Sequence, residues 1–355
     1  MKTAIKNKRN DRTQKLLAVL LPVLLISFIF SILGGILLGT ADLTPRTVLD
    51  VLSTKIFGIQ GIEIQRSAIS IVWELRFPRV LLALAAGGGL AVAGAAMQAV
   101  TQNVMADPYI LGASSGASAA VAFAFVLGGA FSRSSILISV LAFSGAMLAL
   151  FLVYSVGMIG NAGSTSRLVL SGMAISVILT AATQFFISVA PDTYTVRNIT
   201  AWTMGSLCSA RWNTIGFPCI AAVSGSIILM LMGRAYNLLS QGDETAISLG
   251  LDVRALKRIT IIVVSFITGA VVSVGGVIGF IGFIVPHVVR FLLGSDHRRV
   301  FPFYFLIGGL FLMWMDVLAR TAIAPKELPV GIFTAFCGGP FFIWLLYRKN
   351  HYGRM

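Results

Sequence analysis

One feature constrains this chain more than any other. Apolar runs of about 17 to 25 residues recur from end to end, and each is long enough to cross a bilayer. About ten such runs can be drawn. They fall at 16–39, 78–100, 109–129, 135–158, 167–190, 214–233 and 259–277, then a short run broken by Pro286 and several glycines, then 300–319 and 329–347. Only 11% of the 355 residues are charged and 57% are hydrophobic, too little charge to cover a soluble surface of that length. The expectation is therefore an all-α, multi-pass membrane protein. Its single transmembrane domain, 16–347, lies between a basic tail, 1–15, and a short tail, 348–355.

The net charge of +14 does not call for nucleic acid, because the basic residues crowd the ends of the apolar runs. An even number of crossings puts both termini on one side. That side holds both tails, Arg167, Arg234, Arg254, Lys257, Arg258, Arg290, Arg298 and Arg299. The other holds Arg46, Lys55, Arg66, Arg76, Arg79, Arg133, Arg197, Arg211, Arg320 and Lys326. The first set is larger and sits closer to the runs, so both termini are expected in the cytoplasm. The start "MKTAIKNKRNDRTQK" resembles the basic region of a signal peptide, but the run behind it is too long, so an uncleaved first helix is expected.

The segment "SQGDETAISLGLDVRALKR", 240–258, is polar and lies between two oily runs, with the look of two short helices and a glycine break. Gly242 suits a break, Asp243 and Glu244 the first turn of a helix, and Gly250 its end. Upstream, "TPRTVLDVLSTKIFG" fits an amphipathic surface helix, and "PDTYTVRNITAWTMGSLCSARWN" fits a membrane-interface belt. "RVLLALAAGGGLAVAGAAMQ" and "RITIIVVSFITGAVVSVGG" echo each other, each followed by a Pro-bearing break at Pro108 or Pro286, and they start on opposite sides of the membrane. That is an inverted repeat of the kind transporters use. Gly35 and Gly39, Gly112 and Gly116, and Gly275 and Gly279 are spaced for close helix packing.

Chemistry-bearing patterns are sparse. "AAGGGLAVAGAA" lacks the Lys-Ser/Thr of a phosphate loop and lies within a crossing, so nucleotide must be held by another polypeptide if ATP is used. Neither H-E-x-x-H nor a G-x-S-x-G in a strand–turn–helix setting occurs. Cys208, Cys219 and Cys337 are scattered, and His287 has no neighbouring ligand in sequence, so no metal site is expected. Asp316 is the one carboxylate clearly inside an apolar run. It reads either as an ion relay or as the helix-face partner of Arg320, four residues on.

Read together, four stretches resemble the permeases of type II ABC importers for iron-siderophore, haem and cobalamin, the FecCD-like family. They are "ELRFPRVLLALAAGGGLAVAGAAMQAVTQNVMADPYILGASSGAS", "GDETAISLGLDV", "GVIGFIGFIVPHVVRFLLGSDHRRVFP" and "ELPVGIFTAFCGGPFFIWLLYR". The resemblance covers nearly all of the chain after residue 70 and implies the type II importer permease fold. It implies that Gly242, Asp243, Glu244, Ala246, Leu249 and Gly250 belong to the segment that docks on a separate ATPase subunit. It implies that Arg76, Arg79 and Arg320 meet carboxylates on an extracytoplasmic substrate-binding protein. In "NAGSTSRLVLSGMA", Ser164, Thr165 and Ser166 match a cytoplasmic gate, with a plain helix N-cap as the alternative.

The expected protein is thus a catalytically silent permease of the bacterial cytoplasmic membrane, working by alternating access. Its partners would be a second permease copy, two ATPase subunits carrying the ATP and magnesium, one binding protein and membrane lipid. Iron-siderophore is the first cargo expected, with haem or cobalamin as alternatives. An ion-coupled secondary transporter is the rival reading, with Asp316 as its one candidate relay.

Overall fold

The computed structural model describes residues 2–59, 64–129, 134–157 and 165–352. Helices dominate them, and strand-like pairing is confined to one bridge between Ile323 and Lys326. In chain order the helices are α1 (Lys2–Leu37), α2 (Pro45–Phe57), α3 (Arg66–Ile69), α4 (Phe77–Thr101), α5 (Ala113–Leu127), α6 (Ser135–Gly157), α7 (Thr165–Ser188) and α8 (Thr193–Thr203). There follow α9 (Trp212–Leu231), α10 (Gly233–Leu239), α11 (Asp243–Ser248), α12 (Val253–Gly275), α13 (Ile281–Leu293), α14 (His297–Thr321) and α15 (Val330–Tyr352). Among the described residues seven helices are long and apolar enough to span a bilayer. Three shorter apolar ones, Ala113–Leu127, Ile281–Leu293 and Val330–Leu345, stand where the remaining expected crossings were drawn.

α4 is the axis of the bundle. From Pro78 to Gln98 every residue but Leu81 is buried. It packs against α14, α9, α13 and α12. Lipid tails offer helices no hydrophobic reason to associate, so this centrality depends on small residues. A side chain on Gly87 would run into the backbone of Gly308 in α14, and one on Gly94 into the backbone of Gly282 in α13. The spaced glycines elsewhere behave similarly. Gly35 lies against Met313 and Val80, and Gly116 against the backbone of Gly145, but Gly279 faces open space.

The two echoing units each consist of a long helix, a break and a shorter helix: α4, break and α5, then α12, break and α13. The first break starts at Gln102, which caps α4 with a left-handed φ of 49°, and ends at Gly112. The second runs from Gly276 to Phe280, both with positive φ. The second break therefore precedes Pro286, which sits inside a continuous α13. Pro286 cannot donate to the Gly282 carbonyl four residues back, and that carbonyl accepts instead from the Gln98 side chain at 3.1 Å.

The segment ahead of α4 is more ordered than its polarity implies. α2 is the expected surface helix, with Thr44 accepting from the Thr47 amide and Gly58 left-handed at its end. α3 runs through a π-helical turn, Ser70–Arg76, directly into α4. The belt stretch becomes α8, whose Asp192 side chain accepts from the Thr195 amide at 2.7 Å. Trp73, Phe77 and Trp212 form a ring cluster with centroids 5.0 to 5.6 Å apart.

Candidate functional site

The residues singled out by sequence gather at the two ends of α4, about 37 Å apart by helical rise. At the N-terminal end the π turn and the first turn of α4 place Arg76 and Arg79 beside α1 and α14. Arg76 donates to the carbonyls of Ile36 (2.8 Å), Leu37 (2.7 Å) and Ala41 (2.7 Å). It thereby satisfies the open carbonyls at the end of α1, and Gly39 leaves room for its guanidinium.

Arg79 crosses to α14. Its Nε lies 3.0 Å from each carboxylate oxygen of Asp316, and Nη2 lies 2.9 Å from Oδ1. Its remaining nitrogen, Nη1, donates to Oε2 of Glu327 at 2.7 Å. Arg320 approaches Asp316 from the other side, Nε to Oδ2 at 3.2 Å, and donates to the Gly35 carbonyl at 2.9 Å. Its Nη1 is buried and has no hydrogen-bond partner among the described residues. Asp316 is thus clamped between two arginines, where the sequence offered only the local one. Arg76, Arg79, Arg320, Arg211 and Glu327 line a cavity of about 280 Å³ at this end.

At the C-terminal end α4 meets the polar elbow. The Gln102 side chain donates to the Leu239 carbonyl (3.2 Å) and to Oδ1 of Asp243 (3.0 Å). The second Asp243 oxygen pairs with Lys257 at 2.6 Å. One carboxylate therefore ties α11 to α4 and α12 together. Gly242 at φ 105° and Gly250 at φ 85° make the bends on either side. Only one short helix, α11, lies within 240–258. The other, α10, precedes that span, and from Val253 onward the chain is already α12. α10 is fixed to the start of α14 by Asn237, whose side chain donates to Asp296 at 2.6 Å and accepts from the His297 amide at 2.9 Å. Ala246 is buried beneath the elbow, whereas Glu244, Ile247 and Leu249 are exposed.

Ser164 lies outside the described residues, as do the side chains of Thr165 and Ser166, which open α7. His287 bonds its own helix, Nδ1 lying 2.8 Å from the Phe283 carbonyl. Sequence reading missed Gln102, Asn237 and Glu327. Glu327 stands in the quoted "ELPVG" stretch, but nothing there announced a partner on α4.

Among the described residues, nine apolar helices and a glycine-lined tenth at their centre, with charged residues gathered at its ends, define a membrane-spanning transport permease. The comparisons make the class specific: the model of the FecCD transport family matches residues 23–348, and the chain belongs to that family. It is 37% identical over 346 residues to the hemin transport system permease HmuU of Yersinia pestis, covering 96% of this chain and 98% of that one. It is 41% identical over 285 residues to the cobalamin import permease BtuC of Halobacterium salinarum, covering 80% and 75%. It is 35% identical over 339 residues to the ferric enterobactin permease FepD of Escherichia coli, covering 95% and 97%. Among solved structures, a metal-chelate type ABC transporter in an inward-facing conformation superposes with a TM-score of 0.75 at 25% identity, covering 92% of this chain and 99% of that one. The fold is that of a type II ABC importer permease.

Proposed function

We propose that the chain moves an iron-siderophore-type metal chelate inward across the cytoplasmic membrane, driven by a separate ATPase that grips α11. The observation that carries this reading is the elbow itself. Ile247 and Leu249 are 60% and 58% exposed on a polar bend outside the spanning helices. Exposed aliphatic side chains grouped in such a place form a docking surface. Beneath them Asp243 is bonded to α4 and α12, so a push on α11 reaches two crossings directly.

In this reading both termini and the elbow face the cytoplasm, the arginine end faces outward toward a binding protein, and a second copy completes the pathway. Positive residues at the elbow end, Arg254 and Arg258 on α12 with Arg298 and Arg299 on α14, support that orientation. The chain performs no bond chemistry. ATP and magnesium belong to the ATPase.

Haem is a second reading, favoured by the match to the Yersinia hemin permease along almost the entire length of both chains. The ion-coupled rival finds little support: Asp316 is 1% exposed and both its oxygens are engaged by two arginines, which leaves no open position for a transported ion.

The test is uptake into proteoliposomes carrying the permease with and without the ATPase of its import system, with ferric siderophore, hemin and cobalamin offered singly. Uptake should require ATPase and ATP, and Ile247→Asp with Leu249→Asp should abolish both ATPase capture and uptake. Transport by the permease alone, or labelling of Ser248→Cys only from outside intact cells, would falsify the assignment.

A further inference from the structure

The arginine cluster holds two carboxylates of opposite character. Asp316 is enclosed and contacted from both sides. Among the described residues the direct contact of Glu327 is with Arg79, and its side chain is 38% exposed. Glu327 ends the exposed run 322–327 between α14 and α15, and beside it the Leu328 amide donates to the Ala319 carbonyl at 2.9 Å. That bond anchors the backbone beside Glu327, so side-chain rotation alone releases the carboxylate from Arg79.

We propose that Glu327 is an internal stand-in carboxylate: it occupies Arg79 until a carboxylate of the incoming binding protein replaces it. The proposal rests on the docking role of Arg76, Arg79 and Arg320 set out above, and it adds a competitor within the chain. Three features carry it. First, the charges do not balance. Four guanidiniums, Arg76, Arg79, Arg211 and Arg320, line the cavity against the carboxylates of Asp316, Glu327 and Asp42, leaving one positive charge. Second, the buried Nη1 of Arg320, a residue lining that cavity, lacks a partner among the described residues, so the cluster is short of acceptors. A buried donor without an acceptor is costly, which makes this spot favour an anion. Third, Glu327 also lines a second cavity of about 450 Å³, with Trp202, Ser206, Ser209 and Gly276. Gly276 begins the break between α12 and α13. Displacing Glu327 therefore reshapes a wall beside that break, so docking is felt by the crossing that leads down to the elbow.

Exchange of one carboxylate for another conserves the charge pairing of Arg79. It makes docking reversible, because the partner must outcompete a group held at high local concentration. Removing the competitor should tighten binding.

The experiment measures the affinity of the import system's own binding protein for full-length permease in nanodiscs, over a salt series. Glu327→Gln should bind about tenfold tighter than wild type and show a steeper salt dependence, since the site gains one net positive charge. Glu327→Asp, whose shorter side chain holds Arg79 less well, should fall between. Arg79→Lys should weaken binding in either background. If wild type binds and Arg79→Lys weakens it, but both Glu327 variants match wild type, the exchange is overturned while the docking surface stands. If wild type shows no binding, or Arg76 and Arg79 variants bind unchanged, the docking reading itself falls. Unfolding midpoints in detergent separate either result from loss of fold.

Discussion

The two ends of α4 use the same chemistry to different effect. At the arginine end, Arg79, Asp316 and Arg320 are withdrawn from solvent, and each depends on the others. At the elbow, Asp243 and Lys257 meet at a shorter distance, 2.6 Å, yet their side chains remain 43% and 18% exposed. Distance alone would rank the elbow pair as the stronger. Burial reverses the order, because removing one member of an enclosed set strands charge in a medium that cannot screen it. The Asp316 clamp is an anchor, whereas the elbow pair, like the half-exposed Glu327 contact, can be remade each cycle.

The largest effect should come from breaking the anchor. Asp316→Ala leaves two enclosed guanidiniums facing one another and should cost about 3–5 kcal/mol, the range for a buried pair deprived of one partner. Thermal unfolding of purified protein should show a large fall in midpoint, or the variant should fail to accumulate. Asp316→Asn keeps the shape and some hydrogen bonds and should be milder. A folded, assembled Asp316→Asn protein with no uptake would instead revive the ion-coupled mechanism.

Next in size is the contact between the ends. Gly94→Leu drives a side chain into the Gly282 backbone, where no rotamer gives relief. Overpacking of this kind costs about 1–3 kcal/mol, and the upper end is expected here. Gly242→Ala, at φ 105° and ψ 150°, should cost about 1–3 kcal/mol of backbone strain, confined to the elbow. Limited proteolysis should therefore show new cleavage near 240–250 for Gly242→Ala, with spanning helices intact, and general loosening for Gly94→Leu.

Much of this architecture was legible in the sequence because a bilayer imposes it. Run length gives the crossings, and glycine spacing gives the close contacts at Gly35, Gly39 and Gly116. The elbow's bends at Gly242 and Gly250 were legible for the same reason: their backbone geometry needs glycine. What was illegible is long-range pairing. Asp316 advertised Arg320, four residues away, but its other partner is Arg79, 237 residues away in sequence. Likewise Gln102 gave no sign that it would cap α4 in a left-handed turn and bond Asp243. Periodicity reports which face of a helix is buried, not which distant polar group arrives there. Glu327 lay in plain view within a recognised stretch, and only the fold shows that it reaches Arg79.

The smallest expected stability change is also the sharpest test of the comparison. Asp243→Asn weakens the Lys257 pair but keeps an acceptor for Gln102. A half-exposed pair contributes about 1 kcal/mol or less, so the unfolding midpoint should barely move. Ile247 and Leu249 are untouched, so capture of the ATPase should persist. The link from α11 to α12 is nevertheless loosened, and ATP hydrolysis should run with less transport, roughly tenfold fewer cargo molecules per ATP if the link carries about 1.4 kcal/mol of coupling. Asp243→Glu, which restores the charge, should recover much of that ratio. If Asp243→Asn instead lowered stability as far as Asp316→Ala does, the elbow would be an anchor too, and the contrast between the two ends of α4 would be lost.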